Sequence, residues 1–181
     1  MKKFLGILGL CLVMSTGNAA SVSLSPSSQD VLLSDGTATL DLLIDFTDVA
    51  GGTTGGAVNL AFGGSIGFVS FTSSPFYDSL DAFATFHNSV QADPGTDYMI
   101  SFGSFAGITT AETLGTITVD LLGPGLGTAD LSLNSLFGGF TDVSGGVTLN
   151  NATVTAVPVP AVGWLMFSGI AVVFARLRRR Q

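Results

Sequence analysis

The stretch TLDLLIDF at 39–46 sets the pattern of the chain. Leu40, Leu42, Ile44 and Phe46 fall on one face of an extended segment, and Asp41 and Asp45 fall on the other. A period of two is that of a half-buried β-strand, whose successive side chains point to opposite faces of a sheet. Similar short runs occur at 22–25 (VSLS), 57–62 (AVNLAF), 68–73 (FVSFTS), 98–102 (YMISF), 116–122 (TITVDLL), 129–133 (ADLSL) and 147–157 (VTLNNATVTAV). Glycine-rich stretches separate them, among them GGTTGG at 51–56 and GPGLG at 123–127, which read as turns. Many short strands with such turns predict a mainly β chain folded as an antiparallel β-sandwich. Helical spacing appears at 79–87, where Leu80, Phe83 and His87 share a face.

The two ends break this pattern. Residues 1–20 carry Lys2 and Lys3, an apolar stretch at 4–14, and the small residues of STGNAA, the three parts of a secretory signal peptide. At the other end, 161–175 is free of charge, and so is the longer stretch 156–175. A twenty-residue helix is ~30 Å long, about one hydrocarbon thickness. Pro158 and Pro160 shorten the helical part, and Arg176 at its edge extends its reach by snorkelling. The expectation is a single C-terminal transmembrane helix, with Arg176, Arg178, Arg179 and Arg180 on the cytoplasmic side and Trp164 at the opposite interface. The domain organisation expected is therefore a signal peptide (1–20), a sandwich domain (21–156) and a C-terminal segment (157–181).

Charge sharpens this division. Lys2, Lys3 and the four terminal arginines are the only permanent cations in 181 residues, and all thirteen carboxylates lie between them. The formal charge of −7 is thus +6 from the ends and −13 from the middle. Such a body repels phosphate backbones, which excludes nucleic acid as its partner. The one cysteine, Cys11, lies in the N-terminal apolar run, so the body holds no disulfide, thiolate nucleophile or cysteine zinc site.

Candidate chemistry is sparse. His87 is the only histidine, and no G-x-S-x-G turn accompanies it, so a Ser-His-Asp site has no support. Aspartate pairs such as Asp41/Asp45 and Asp78/Asp81 occur in any acidic protein, and the reading here is that they are solvated and the chain is not an enzyme. If carboxylates converge on a cation, the ion is calcium, which wants several oxygens. Asp48, Asp142, Asp93 and Asp97 are the candidates, the first two because FTDVAGG at 46–52 echoes FTDVSGG at 140–146. A shared turn chemistry is the preferred account of that echo. Asn151-Ala152-Thr153 forms a sequon and is read as strand sequence. Eight of fourteen phenylalanines fall between Phe62 and Phe105. Phe62, Phe68 or Phe71, and Phe102 are assigned to the core rather than to a sugar platform.

Two resemblances add to this. Pro158-Val159-Pro160-Ala161, then Trp164, an apolar run and a terminal arginine cluster on a secreted chain resemble the PEP-CTERM sorting signal, closest to its VPxPA variant. Val159 stands where the usual form has glutamate. The resemblance implies processing by an exosortase, a membrane cysteine protease that cuts near the proline motif, in a Gram-negative bacterium that makes exopolysaccharide. It implies an inner-membrane-anchored precursor with its body in the periplasm, then a place at the cell surface or in the extracellular matrix, with biofilm or exopolysaccharide association. The order of segments from VSLSPSSQDVLLSDGTATLDLLIDFTDV through GAVNLAFGGSIGFVSFTS to LGTITVDLLGPGLGTADLSL resembles the cohesin-like jelly roll. Ser34-Asp35-Gly36 reverses the Gly-Asp order of the cohesin turn, and Phe62-Gly63-Gly64 replaces its aromatic-Asp-Pro turn. Fold does not carry function, so the resemblance implies the sandwich and not dockerin binding. A carbohydrate- or protein-binding adhesion module with calcium is the alternative function.

Overall fold

A computed structural model of the chain describes residues 20–47, 49, 51–81, 90–92, 98–138, 141–142 and 146–158, with the backbone alone at 90–92 and 141–142. The expected signal peptide, the C-terminal span and most of the helical pattern at 79–87 lie outside them. Among the described residues no helix is long and apolar enough to cross a membrane.

The described strands form two sheets. The first has five strands in the order β11-β1-β3-β8-β5: β11 (Thr148–Asn150), β1 (Ser21–Ser25), β3 (Thr37–Asp45), β8 (Ala111–Leu121) and β5 (Ile66–Ser73). The second runs β2 (Ser28–Leu32), β12 (Ala152–Val157), β9 (Gly125–Gly138), β4 (Thr53–Gly64), β7 (Tyr98–Ile108) and β6 (Val90–Ala92), with β10 (Thr141–Asp142) paired to β9. The mainly β sandwich expected from the alternation is thus present.

The alternation at 39–46 is realised in full. Leu40, Leu42, Ile44 and Phe46 are buried, while Asp41 faces solvent and Asp45 is only partly covered. Val22, Leu24, Leu114, Ile117 and Val119 join them from the first sheet; Val58, Leu60, Ile100, Phe102, Leu131 and Val154 meet them from the second. Full burial of each large apolar side chain contributes ~1.5–3 kcal/mol, so this interface between the sheets is the main stabilising element. Phe46 and Phe102 pack with ring centroids 6.5 Å apart.

Four expectations need correction. GGTTGG is not wholly a turn: Thr53 to Gly56 open β4, and Gly55, at φ +140°, takes a backbone that only glycine adopts readily. GPGLG likewise gives its last three residues to β9. The run 147–157 is two strands, because Asn151 lets the chain pass from the first sheet (β11) to the second (β12). The segment 21–32 does the same at Pro26 and Ser27, and it contains β2, which shows little apolar alternation. These two crossing segments lie side by side and pair in parallel, Ser21 with Thr148 and Leu32 with Val157. The sandwich is therefore mixed at its margins rather than wholly antiparallel. The described helix, α1 (Pro75–Asp78), precedes the 79–87 pattern and ends at Ser79.

Candidate functional site

The second sheet presents an outer face built from β4, β7 and β9. On β4, β7 and β9, alternation sends Val58, Leu60, Ile100, Phe102, Ala129 and Leu131 inward. It sends Asn59, Met99, Asp130 and Ser132 outward. The register sets Asn59 opposite both Ser132 and Met99. Asn134 occupies a bulge in β9, where the register with β4 shifts, and its amide donates to the Met99 sulfur at 3.4 Å. A bulge adds a residue and re-aims its side chain, which is how Asn134 reaches across to β7.

Asn151 fixes one margin of this face. The β9–β12 ladder stops at Ala129 and Ala152, and the Asn151 side-chain oxygen continues it by accepting from the Leu131 N–H at 2.9 Å. Its amide donates to Asp130 at 2.8 Å. At the opposite end two phenylalanines are exposed, Phe105 at 61% and Phe137 at 42%. Phe137 lies in register with Gly55, and Gly55 with Gly103, so glycines floor the strip between β9 and β7. The Phe105 N–H donates to Asp81 at 3.1 Å. The Ser104 hydroxyl, and then that N–H, hold the Asp81 carboxyl below its ordinary value.

The first sheet offers a different surface. A depression of about 360 Å³ is lined by Ser21, Ser23, Leu43, Asp45, Glu112 and Thr113, among others. It brings two carboxylates to one place. Asp45 accepts from the Thr47 N–H at 3.0 Å and from its hydroxyl at 2.7 Å, which lower its pKa. A glycosidase needs one carboxyl raised, so that it keeps a proton to give. Asp45 is shifted the opposite way. Asp41 accepts from Thr116 at 2.7 Å. Asp41, Asp45, Asp81 and Asp130 each accept from neutral donors, and no cluster of three or more metal-ligating side chains occurs among the described residues.

The expected site residues fare unequally. Asp48, Asp93 and Asp97 lie outside the described residues, and for Asp142 only the backbone of β10 is described. The side chains of all four calcium candidates therefore lie outside what the structure describes. Of the echoed sequences, the described parts are a turn in which the Val49 N–H donates to the Phe46 carbonyl, and the pairing of Thr141 and Asp142 with β9. Pro158 is exposed at the end of β12; Val159, Pro160, Ala161, Trp164, Arg176, Arg178, Arg179 and Arg180 lie outside, as does His87. Phe102 is fully buried, and Phe62, Phe68 and Phe71 pack against the core as expected. Phe68 stacks on Tyr98 at 3.8 Å, with Phe62 beside both. Sequence reasoning missed the outward Phe105 and Phe137. Their signal is position: each stands two residues or fewer from glycine or alanine, outside the strict apolar alternation of its strand.

The chain matches no family model and no curated protein. Its fold is similar to solved cohesin modules. The seventh ScaB type I cohesin of Pseudobacteroides cellulosolvens shares 10% identity at a TM-score of 0.60, covering 78% of this chain and 94% of that one. The third ScaC cohesin of Acetivibrio cellulolyticus, solved in complex with the ScaB dockerin, shares 13% at 0.58, covering 76% and 99%. A non-cellulosomal cohesin of the archaeon Archaeoglobus fulgidus shares 13% at 0.56, covering 77% and 91%. At such identities the likeness shows the fold alone: the body is a cohesin-like β-sandwich.

Proposed function

We propose that this chain is a non-catalytic, exported protein-binding module of the cell envelope, which uses the outer face of the second sheet to hold a partner protein. The observation that carries the reading is the composition of that face. A strip of Asn59, Ser132, Asn134 and Asp130 with Met99, ending in exposed Phe105 and Phe137, combines hydrogen-bonding groups with methionine and aromatic anchors. Interfaces between proteins are enriched in such anchors. Similarity to a cohesin solved with its dockerin supports a protein as the kind of partner. With no lysine or arginine between positions 4 and 175, the face suits a partner that brings the cations.

The ends of the chain supply the finer reading. The PEP-CTERM-like tail at 157–181 supports sorting by an exosortase-type enzyme, through an inner-membrane precursor, to a place in exopolysaccharide or biofilm matrix. A photo-crosslinking residue at Ser132 in the native host tests the binding face. A discrete protein adduct at Ser132, with none at Thr39 of the first sheet, is expected; equal labelling at both overturns it. Mass spectrometry of the surface protein tests the sorting: recovery of intact 161–181 in the mature protein would leave the tail a simple anchor.

A further inference from the structure

The structure points to a second apolar surface, at the end of the sandwich where the chain leaves for its tail. Of the large apolar side chains most exposed among the described residues, Leu122 (67%), Leu126 (57%) and Leu32 (44%) stand at the rim of that end. Leu32 lies opposite Val157, and Leu126 lies opposite Thr155, two residues earlier on the same strand. Alternation turns Leu32, Leu126 and Val157 to the outer side, since Val154 and Ala156 point inward. Leu122 lies on the adjoining loop, close over the outward side of Gly67 in β5, so it rims the same end from the first sheet.

This end is tied together. Ser65 N–H donates to the Leu126 carbonyl at 3.2 Å, Leu122 N–H to the Ser65 carbonyl at 2.8 Å, and Leu121 N–H to the Gly36 carbonyl at 2.9 Å. The three turns that make the end are thus bonded to one another and present the leucines in fixed positions.

We infer that this end seats on a zwitterionic lipid surface, with Leu32, Leu122 and Leu126 entering its interface. The inference rests on the reading of 161–175 as a membrane span. Three residues, 158–160, separate Val157 from that apolar run, and three extended residues reach at most about 11 Å. The spacer is too short to hold the leucines out of reach of the bilayer surface. Amphipathic surfaces bind lipid by buried apolar area together with electrostatic attraction. Here the second contribution is missing. Asp30, Asp35 and Asp120 are the charged groups at this end, and the body offers no cation, so an anionic surface would repel it.

The test uses the full chain in phosphatidylcholine nanodiscs, with Cys11→Ser and a bimane label on Pro124→Cys, between the leucines and leaving them native. The label is expected to be quenched by doxyl-labelled lipid and shielded from iodide. In the Leu32→Gln/Leu122→Gln/Leu126→Gln background this pattern should invert while the tail stays in the disc. Phe137→Gln, at the other end, should change nothing. A circular dichroism melt checks that each variant is folded, and a label at Gly123→Cys repeats the measurement should Pro124→Cys not fold. Equal iodide quenching with and without the leucines would show that the spacer alone sets the distance, and would overturn the inference. Shielding from iodide without quenching by lipid would place the tail over the leucines, and would also overturn it. A tail that fails to enter the disc overturns both this inference and the anchoring reading; a tail in the disc beneath a water-exposed label overturns this inference alone.

Discussion

Tyr77 shows how much one side chain contributes to joining the layers. It is 1% exposed, and its hydroxyl donates to the Ser101 carbonyl at 2.6 Å. Its ring meets Phe71 edge-on at 5.6 Å. The Ser74 hydroxyl caps α1 by accepting from the Tyr77 N–H at 3.1 Å, which fixes where the tyrosine enters. Tyr77→Phe keeps the ring and removes the donor, which leaves a buried carbonyl short of a partner. The expected cost is about 1–3 kcal/mol, read as a lower urea midpoint at unchanged slope. Burial, and then the charge of Asp78, raise the phenol pKa above its ordinary value of 10.0. The folded chain therefore holds this proton where the unfolded chain gives it up. Stability from Tyr77 is constant below pH 10 and falls as pH rises beyond it; Tyr77→Phe should flatten that alkaline loss. Asp45 behaves in the opposite sense. Its pKa is lowered by the Thr47 N–H first and the Thr47 hydroxyl second, so its contribution is present above pH 3.8 and is lost as pH falls through the folded value. Thr47→Ala removes only the second donor. Titration of the Asp45 carboxyl by NMR should show a partial rise toward the ordinary value; no change would mean the hydroxyl bond is not formed in solution.

At the scale of the element, Asn151 decides the path of the C-terminal segment. Asn151→Ala deprives the Leu131 N–H of its acceptor beyond the end of the β9–β12 ladder, at an expected cost of about 1–3 kcal/mol. Asn151→Asp keeps that acceptor but sets a carboxylate against Asp130, so its melting temperature should recover as pH is lowered and both groups are neutralised. A melting temperature for Asn151→Asp that does not move with pH would show that Asp130 is not its neighbour in solution. This element also marks where sequence reading stops. Alternation revealed β3 in full because one face of that strand is buried along its whole length. The same rule read 147–157 as a single strand. The covered positions are Val147 and Leu149, then Ala152, Val154 and Ala156, so the period of two slips by one residue at Asn150-Asn151, and that slip, which a single-strand reading passes over, marks the change of sheet. β2 was illegible for the converse reason: in SQDVL the partly covered positions are Gln29 and Val31, and a margin strand needs little apolar surface. Glycine misled at 53–56. There it signals close approach rather than a turn, since a Cβ on Gly56 would run into the Ser135 carbonyl and the Leu136 side chain of β9. The outer face of the second sheet was least legible, because its side chains come from three strands far apart in sequence.

For the whole molecule, the parallel pairing of the crossing segments fixes an orientation. Ser21 and Thr148 lie at one end, Leu32 and Val157 at the other, and the nine steps from Thr148 to Val157, at ~3.3 Å each, separate them by at most about 30 Å. The start of the body is thus far from the point where the tail leaves, so an anchored chain holds its N-terminus outward. Charge acts on the same scale. Thirteen carboxylates share the chain with six cations, all of them outside 4–175, so mutual repulsion opposes compaction of the body. Salt screens exposed charges over ~10 Å at 0.1 M, and the melting temperature of the full chain in neutral detergent should rise with sodium chloride. The described aspartates Asp41, Asp45, Asp81 and Asp130 each accept from a neutral donor rather than converging on a common point. Calcium should then raise the melting temperature no further than sodium or magnesium at matched ionic strength. The contrary case has a definite size. A site that binds only the folded chain adds RT ln(1 + [L]/Kd), ~2.7 kcal/mol at a hundredfold excess over Kd. Such a rise for calcium alone, lost in Asp48→Ala or Asp142→Ala, would show that those carboxylates meet around an ion. Superimposed curves for the three salts would leave the acidic body stabilised by screening alone.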